Sequence, residues 1–448
     1  MTFEVFPDQN ICVIGLGYVG LTLAVAMADA GFNVAGVERR DDVVESLWQR
    51  KAHFWEPRLD QKLQRVMARR DLEVFTSPPP HFDADVYIIT VGTPLGADGA
   101  ARIDMAADAA AEVGKVMKDG ALVILRSTVK LGTAREIVAP ILDRSDKSYQ
   151  LAVCPERTLE GRALLELNEL PQIIGADDRM TRRRCQMLFN RLTPTTVALS
   201  SLEAAELVKL VDNTYRDVSF GFANEVAKLC SEAGLSAAEI IRAGKLGYPR
   251  TNVPMPGPVG GPCLEKDPHI LVESARRFGV EMPVTRAARQ TNEVQPKQIA
   301  AMARAASRSI SAFSNHPTIS LLGLAFKGVP ATDDLRGSMA FPIYAALKDA
   351  FPDSTFRGFD PVVRPDVTES AFGFEAVRHF EEAFEGADIV FLLNNHVELQ
   401  NLDLATATQR MSTPALVYDL WNMHDVAPDT LPAGVRFIAL GREKMELA

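Results

Sequence analysis

The sequence predicts an α/β protein: a mostly parallel, helix-covered sheet at the N-terminus, a central region built on one long helix, and a second, smaller α/β domain. Three observations lead there. Short apolar runs alternate with helical stretches over the first 199 residues and again from about residue 316, a proline-free stretch from Ser201 to about Ala233 separates the two, and the first apolar run passes straight into a glycine-rich turn. A chain of 448 residues exceeds one core. The expected division is 1–199, 200–312 and 313–448.

The opening unit, "NICVIGLGYVGLTLAVAMADAGFNVAGVERR", reads as strand, glycine turn, helix, second strand and acidic residue. Glycines at 15, 17 and 20 alone describe many flexible loops; in this order and spacing they describe a Rossmann dinucleotide site. Gly15 permits the tight turn, Gly17 lets backbone amides approach a pyrophosphate, and Gly20 lets helix and strand pack. An alanine-rich helical stretch follows, whose N-terminus favours an anion. Glu38, ending the second strand, suits a ribose diol and repels a 2′-phosphate, so the expected cofactor is NAD. Arg39 and Arg40 follow at once and are of the type that accommodates that phosphate.

Further strands are read in "DVYIITVGTP", "GALVILRSTV", "LAVCPER" and "LPQIIGADD". Ligands in such sheets lie beyond the carboxyl ends of the strands, which makes Thr93, Thr128 and Glu156 site candidates by position. On the long helix Glu206, Lys209, Asn213, Arg216 and Asn224 fall on one polar stripe between apolar flanks. A solvated face is the bland explanation; recurring asparagines, poor helix formers, favour a stripe turned into a site. Residues 247–268, with six prolines and four glycines, read as a shaped loop. Helices follow from Pro268 and over roughly 282–308. The last domain contributes strands "TISLLGLAF", "TFRGFDP", "ADIVFLLNN" and "ALVYDLW" and a helix near 338–350, without a GxGxxG and with no internal repeat read between the parts.

A net charge of −10 argues against a nucleic-acid or anionic-membrane surface. No run reaches the roughly 18 apolar residues of a membrane span, and "MTFEVFPDQN" lacks the basic and apolar regions of a secretory signal. Cysteines at 12, 154, 185, 230 and 263 show neither a CxxC pair nor metal-ligand spacing, which reads as reduced thiols, no metal site and a cytoplasmic setting. Cys263 stands apart. A lone cysteine is usually a small buried hydrophobe, but this one lies where a loop can present it, with Lys266 near enough to favour the thiolate. A thiol has no use in simple alcohol oxidation; it becomes useful when an aldehyde must be oxidised further.

With "VIGLGYVGL", "STV", "CPER", "KLVDNTYRDV", "GGPCLEKD" and "GLAFKGVPATDDLRGS" in this order, nearly the whole chain resembles the UDP-sugar 6-dehydrogenases. The resemblance implies a four-electron oxidation of a nucleotide-sugar C6 alcohol to a carboxylate, with Cys263 as nucleophile. Lys209 and Asn213 match positions that stabilise oxyanions, Asp267 and Thr128 positions tied to an ordered water and proton transfer, and Glu156 the residue that assists thioester hydrolysis. The implied cofactor contacts are Gly15, Gly17, Tyr18, Val19, Gly20, Glu38, Thr93, Thr128, Lys266 and Arg336. Substrate contacts fall at Glu156, Arg157, Lys209, Asn213, Arg250, Gly260 and Lys327. The last domain is the expected Rossmann-like UDP-binding domain, and the long helix the expected dimerisation element of a homodimer or higher even oligomer, with Arg250 reaching the partner's sugar pocket. Trp421 departs from the pattern, since many relatives carry arginine there. "PER" favours a UDP-N-acetylhexosamine, UDP-N-acetylmannosamine first, whereas Lys266 is typical of the UDP-glucose branch. Two other classes compete: a two-electron hydroxyacid-type dehydrogenase, which has no use for Cys263, and a non-catalytic NAD-binding protein, expected to lack at least one of Lys209, Asn213, Cys263 and Asp267.

Overall fold

The computed structural model describes residues 8–96, 99–427 and 430–444. Residues 1–7, including most of the stretch examined for a secretory signal, lie outside them. The chain forms two compact units, one holding the described residues up to Asp212 with His269–Glu281, the other Asn213–Pro268 with the described residues from Met282 onward.

The first unit is organised by one sheet. Its strands are β1 (Asn10–Ile14), β2 (Asn33–Val37), β3 (Leu72–Phe75), β4 (Val86–Ile89), β5 (Ala121–Leu125), β6 (Tyr149–Val153), β7 (Gln172–Gly175) and β8 (Thr196–Leu199). The spatial order is β3-β2-β1-β4-β5-β6-β7-β8, so the first six follow the doubly wound order of a dinucleotide fold. All pairs are parallel except β6 with β7, which meet through Val153 and Gly175 alone. Both faces are buried: Ile11 and Val13 of β1 join one core, Cys12 and Ile14 the other. That is why these strands read as continuous apolar runs. The four-residue strands β3 and β8, absent from the sequence reading, lie at the sheet edges with burial too uneven to leave an apolar run.

The second unit carries β9 (Thr318–Leu322), β10 (Thr355–Phe359), β11 (Glu375–Ala376), β12 (Ile389–Leu392), β13 (Ala415–Asp419) and β14 (Val435–Ala439), all parallel, in the order β11-β10-β9-β12-β13-β14. Counted from its own first strand this is again 3-2-1-4-5-6. The correspondence extends to single bonds: Gly15 N donates to Val37 O at 2.8 Å after β1, and Gly323 N to Phe359 O at 2.9 Å after β9. Both glycines have positive φ, +90° and +86°. The last domain is thus Rossmann-like, as expected, without an internal repeat in the sequence: the likeness is carried by backbone geometry, which dissimilar side chains can share.

The long helix is Leu202–Glu232, and the boundary between the units falls within it. A further helix, Pro283–Arg308, has Pro296 inside it. The segment 247–268 is not irregular throughout. Gly261–Leu264 forms one helical turn, and Asp267 already begins the helix Asp267–Arg276. Pro262 causes no break because it stands in the first turn, where its missing N–H has no partner to lose.

Candidate active site

Within the first unit, the turn after β1 has the form a dinucleotide requires. A Cβ on Gly20 would run into the Gly15 carbonyl oxygen and come within 2.5 Å of Thr90 Oγ1, whereas a Cβ on Gly17 would meet nothing within 4 Å. The helix Tyr18–Asp29 starts at once after Gly17, so its free amides border open space. Glu38 lies across the cleft with its carboxylate fixed by backbone donors: Leu16 N at 3.0 Å, Arg39 N at 2.9 Å and Arg40 N at 3.1 Å. Gly15, Gly17, Glu38, Arg39, Thr90 and Met105 are among the walls of this cleft of about 280 Å³. Its glycine floor and acidic wall fit NAD. The Tyr18 hydroxyl is turned elsewhere, accepting from Gly161 N at 2.8 Å. Tyr18 thus supports the neighbouring 158–162 segment, and Val19 is half-buried behind it.

The carboxyl ends of β4, β5 and β6 meet nearby. Thr93 Oγ1 donates to the Thr128 carbonyl. After β6, Glu156 is buried and takes hydrogen bonds from Arg157 N at 2.7 Å and Thr158 N at 2.8 Å, and from Arg126 Nε at 3.0 Å. Burial alone would raise the Glu156 pKa, but the Arg126 guanidinium, the Thr158 amide and the Lys209 ammonium together hold it below the usual carboxylate range. Arg126 escaped the sequence reading; its signal was a charged residue closing the apolar run "GALVIL". Arg157 pairs with Asp212 at 3.2 Å.

The polar stripe divides into unlike parts. Glu206 is structural: buried, it accepts the amides of Gly132 at 2.6 Å and Ala134 at 2.8 Å. Desolvation pushes its pKa up to about 7. Lys209 is buried. Arg216 is exposed and leaves the stripe. The inward neighbour is Asp217, also one turn from Asn213, and nothing in the local pattern distinguished the two.

Within the second unit, Asp267 is sealed from solvent and joins two expected partners: Asn213 Nδ2 donates to Oδ2 at 2.5 Å, and Lys266 Nζ reaches Oδ1 at 2.6 Å. Lys266 is thus paired with Asp267. Cys263 is only half-buried, whereas Cys12, Cys154, Cys185 and Cys230 are buried, and none of the five is in a disulfide. Burial pushes the Cys12 thiol up to about 12.

The Cys263 segment is tied down on both sides. Asn224 brackets Gly257, donating to its carbonyl at 3.1 Å and accepting from its N–H at 3.0 Å. Arg289 Nη1 donates to the Leu264 carbonyl at 2.8 Å while paired with Asp217 at 2.6 Å. Asn292 links these groups, donating to Asp217 Oδ1 and accepting from Asn224. Asp217, Arg289 and Asn292 were missed because each acquires meaning only through the others. Gly260 and Gly261 lie against the 326–337 turn, where a Cβ on Gly261 would enter the Phe326 ring. In that turn Lys327 Nζ stands 5.2 Å from the Phe326 ring centre. Arg336 is exposed and pairs with Asp334 at 2.6 Å. Arg250 is exposed, its guanidinium 4.7 Å over Tyr248. Trp421 packs on Gly257 and donates through Nε1 to the Leu393 carbonyl at 2.8 Å, which gives it a packing role where an arginine would be polar. Among the described residues no His, Cys, Asp and Glu cluster is placed to hold a metal ion, and no helix is long and apolar enough to cross a membrane.

Known proteins place these features. Residues 9–193, 203–294 and 320–426 match, in turn, the NAD binding domain, the central domain and the UDP binding domain of the UDP-glucose/GDP-mannose dehydrogenase family. The chain is 32% identical over 402 residues to a UDP-N-acetyl-D-mannosamine dehydrogenase of Pyrococcus horikoshii, covering 88% of this chain and 91% of that one. It is also 32% identical to an NDP-N-acetyl-D-galactosaminuronic acid dehydrogenase of Ralstonia solanacearum, with 88% and 92% covered. Among solved structures, the UDP-D-ManNAc dehydrogenase of Pyrococcus horikoshii superposes with a TM-score of 0.86 at 29% identity, covering 97% of this chain and all of that one. With its glycine turn, acidic ribose wall and second parallel sheet matched along nearly the whole length, the chain belongs to the UDP-glucose/GDP-mannose dehydrogenase family and is an NAD-dependent enzyme of that family.

Proposed function

We propose that the protein oxidises the C6 alcohol of a UDP-N-acetylhexosamine, UDP-N-acetylmannosamine first, to the uronic acid through a covalent intermediate on Cys263. The observation that carries this reading is the contrast among the cysteines: four are buried, and the fifth, half-buried, sits on a turn fixed from both sides. The relatives named above support the choice of sugar. Lys266, the feature that favoured UDP-glucose, is engaged by Asp267.

NAD bound at the glycine turn supplies the two-electron acceptor for each of the two oxidations. The chain's own groups do the rest. Cys263 Sγ adds to the C6 aldehyde, a C–S bond forms, and the thiol proton passes to the carbonyl oxygen. Oxidation of this thiohemiacetal leaves a thioester; water then adds, the C–S bond breaks, and the acid and the free thiol are released. Lys209 and the second Asn213 N–H are the donors for the developing oxyanions; such donors contribute about 10²- to 10³-fold each. Glu156, kept ionised by Arg126, takes a proton from the attacking water. Asp267 orients Asn213, and Asp267 and Thr128 are each assigned to the ordered water and proton transfer. Lys327 and Arg336 serve the diphosphate or cofactor, and Arg157 and Gly260 the sugar.

The functional division follows 1–199, 200–312 and 313–448. The working assembly is a homodimer through the long helix: Val211, Tyr215, Phe222 and Leu229 are exposed at spacings of four, seven and seven, an apolar stripe on one face. Arg250 then contributes across that interface. A reduced-thiol interior suits the cytoplasm.

The test is a panel of UDP-sugars with NAD, counting NADH per sugar consumed. Two NADH and a uronic acid are expected, with Cys263→Ala giving no acid. A ratio near one for every sugar, or normal acid yield from the alanine variant, would overturn the reading.

A further inference from the structure

The adenosine end of the cofactor cleft contains a contradiction in charge. Arg39 and Arg40 directly follow Glu38, at the place where arginine commonly receives the 2′-phosphate of NADP. Both guanidiniums are already paired with carboxylates of this chain. Arg39 Nη2 lies 2.8 Å from Glu112 Oε1 and its Nη1 3.4 Å from Asp108 Oδ2. Arg40 is held by Asp42 through two bonds, of 2.6 Å and 3.2 Å. Glu112 and Asp108 belong to the helix Asp104–Val116, of which Met105, Ala109 and Glu112 line the cleft at spacings of four and three. One helical face therefore supplies both cleft wall and carboxylates.

We infer that Asp108 and Glu112 are specificity-determining residues: by holding Arg39 they exclude a 2′-phosphorylated dinucleotide from the cleft. Four carboxylates, Glu38, Asp42, Asp108 and Glu112, surround two guanidiniums, leaving a net charge of −2 before any ligand arrives. Were Arg39 to turn to a 2′-phosphate, Glu112 and Asp108 would be left beside a dianion with no cation between them. An exposed ion pair is weak by itself; here two carboxylates of one helix share the Arg39 guanidinium, and its release to a phosphate would have to break both contacts. Glu38 favours a ribose diol over a 2′-phosphate, and the two helix carboxylates add a second barrier by engaging Arg39, one of the two cations at that end of the cleft. This inference goes beyond the sugar chemistry and rests only on the cleft being the NAD site.

Isothermal titration of the full-length, substrate-free protein with NAD and with NADP tests it. The proteins compared are wild type, D108N/E112Q, R39A and D108N/E112Q/R39A. The ratio of the NADP Kd to the NAD Kd is expected to fall at least tenfold in D108N/E112Q, to return toward the wild-type ratio when R39A is added, and to change less as salt is raised. An unchanged ratio in D108N/E112Q overturns the inference. So does a gain that persists without Arg39, because bulk charge rather than release of Arg39 would then be responsible. A wild type that binds neither dinucleotide overturns the assignment of the cleft itself, which separates that failure from the first two.

Discussion

Arg126 and Glu156 form a sealed ion pair, Nη2 to Oε2 at 2.5 Å, with side chains 1% and 8% exposed and 30 residues apart in sequence. A buried pair broken from one side leaves an uncompensated charge, which typically costs about 3–5 kcal/mol. Arg126→Met is therefore expected to lose stability of that order at pH 7, read from urea midpoints. The pH dependence follows from the depressed Glu156 pKa. Its stabilising contribution is fully present above the unfolded carboxylate range and is lost as pH falls through the lower folded value, so Arg126→Met should flatten the acid limb of the wild-type curve. A variant as stable as wild type would show that the pair contributes nothing net.

Glu206 titrates in the opposite sense. Its folded pKa, near 7, lies above the ordinary 4.5, so its contribution is fully present below about pH 4.5 and is lost as pH rises to 7. At about 1.4 kcal/mol per pKa unit the effect reaches at most about 3 kcal/mol. Glu206→Gln should be less sensitive than wild type to pH between 5 and 8 in urea unfolding. Equal slopes for the two proteins would remove Glu206 as the source.

The glycines of the cofactor turn separate folding from binding. Gly17 has φ −63° and an open Cβ position, so Gly17→Ala is expected to fold within about 0.5 kcal/mol of wild type yet bind NAD at least tenfold more weakly, because the methyl enters the space of the pyrophosphate. Gly20→Ala collides with the Gly15 carbonyl and is expected to lower Tm by several degrees or more. Thermal melts with NAD titration distinguish the two; equal effects on both quantities from both variants would contradict this division.

Asn224 holds the Cys263 segment through the backbone of Gly257. Asn224→Ala leaves the N–H and C=O of Gly257 without their bracket, which costs about 1–3 kcal/mol per buried unsatisfied group. Alkylation of Cys263 by iodoacetamide should accelerate several-fold in the folded variant. A purely structural role would lower stability and leave the alkylation rate of the folded state unchanged.

Much of the fold was legible because its signals are local. Gly15-x-Gly17-x-x-Gly20 between strand and helix, the buried strands β1, β4 and β5, and the 31-residue helix each show their period or turn within a short window. The short edge strands were not legible, since uneven burial leaves no clean run. The Cys263 turn misled, since proline and glycine there shape a helical turn as well as a loop. Arg216 and Asp217 mark a sharper limit: neighbours about 100° apart on a helix are equally compatible with the same stripe, and only the packing of Arg289 and Asn292 turns Asp217 inward.

By itself the sequence determined the cofactor turn, the acidic ribose wall, the position of the thiol and the alternation that makes two parallel sheets, because backbone conformation and one-sided burial write themselves into neighbouring residues. Tertiary structure alone decided that Arg126 meets Glu156 and that Arg39 is held by Glu112. Charges are placed by what packs opposite them, and those partners lie 30 and 73 residues away for Arg126 and Arg39. No local pattern reaches that far.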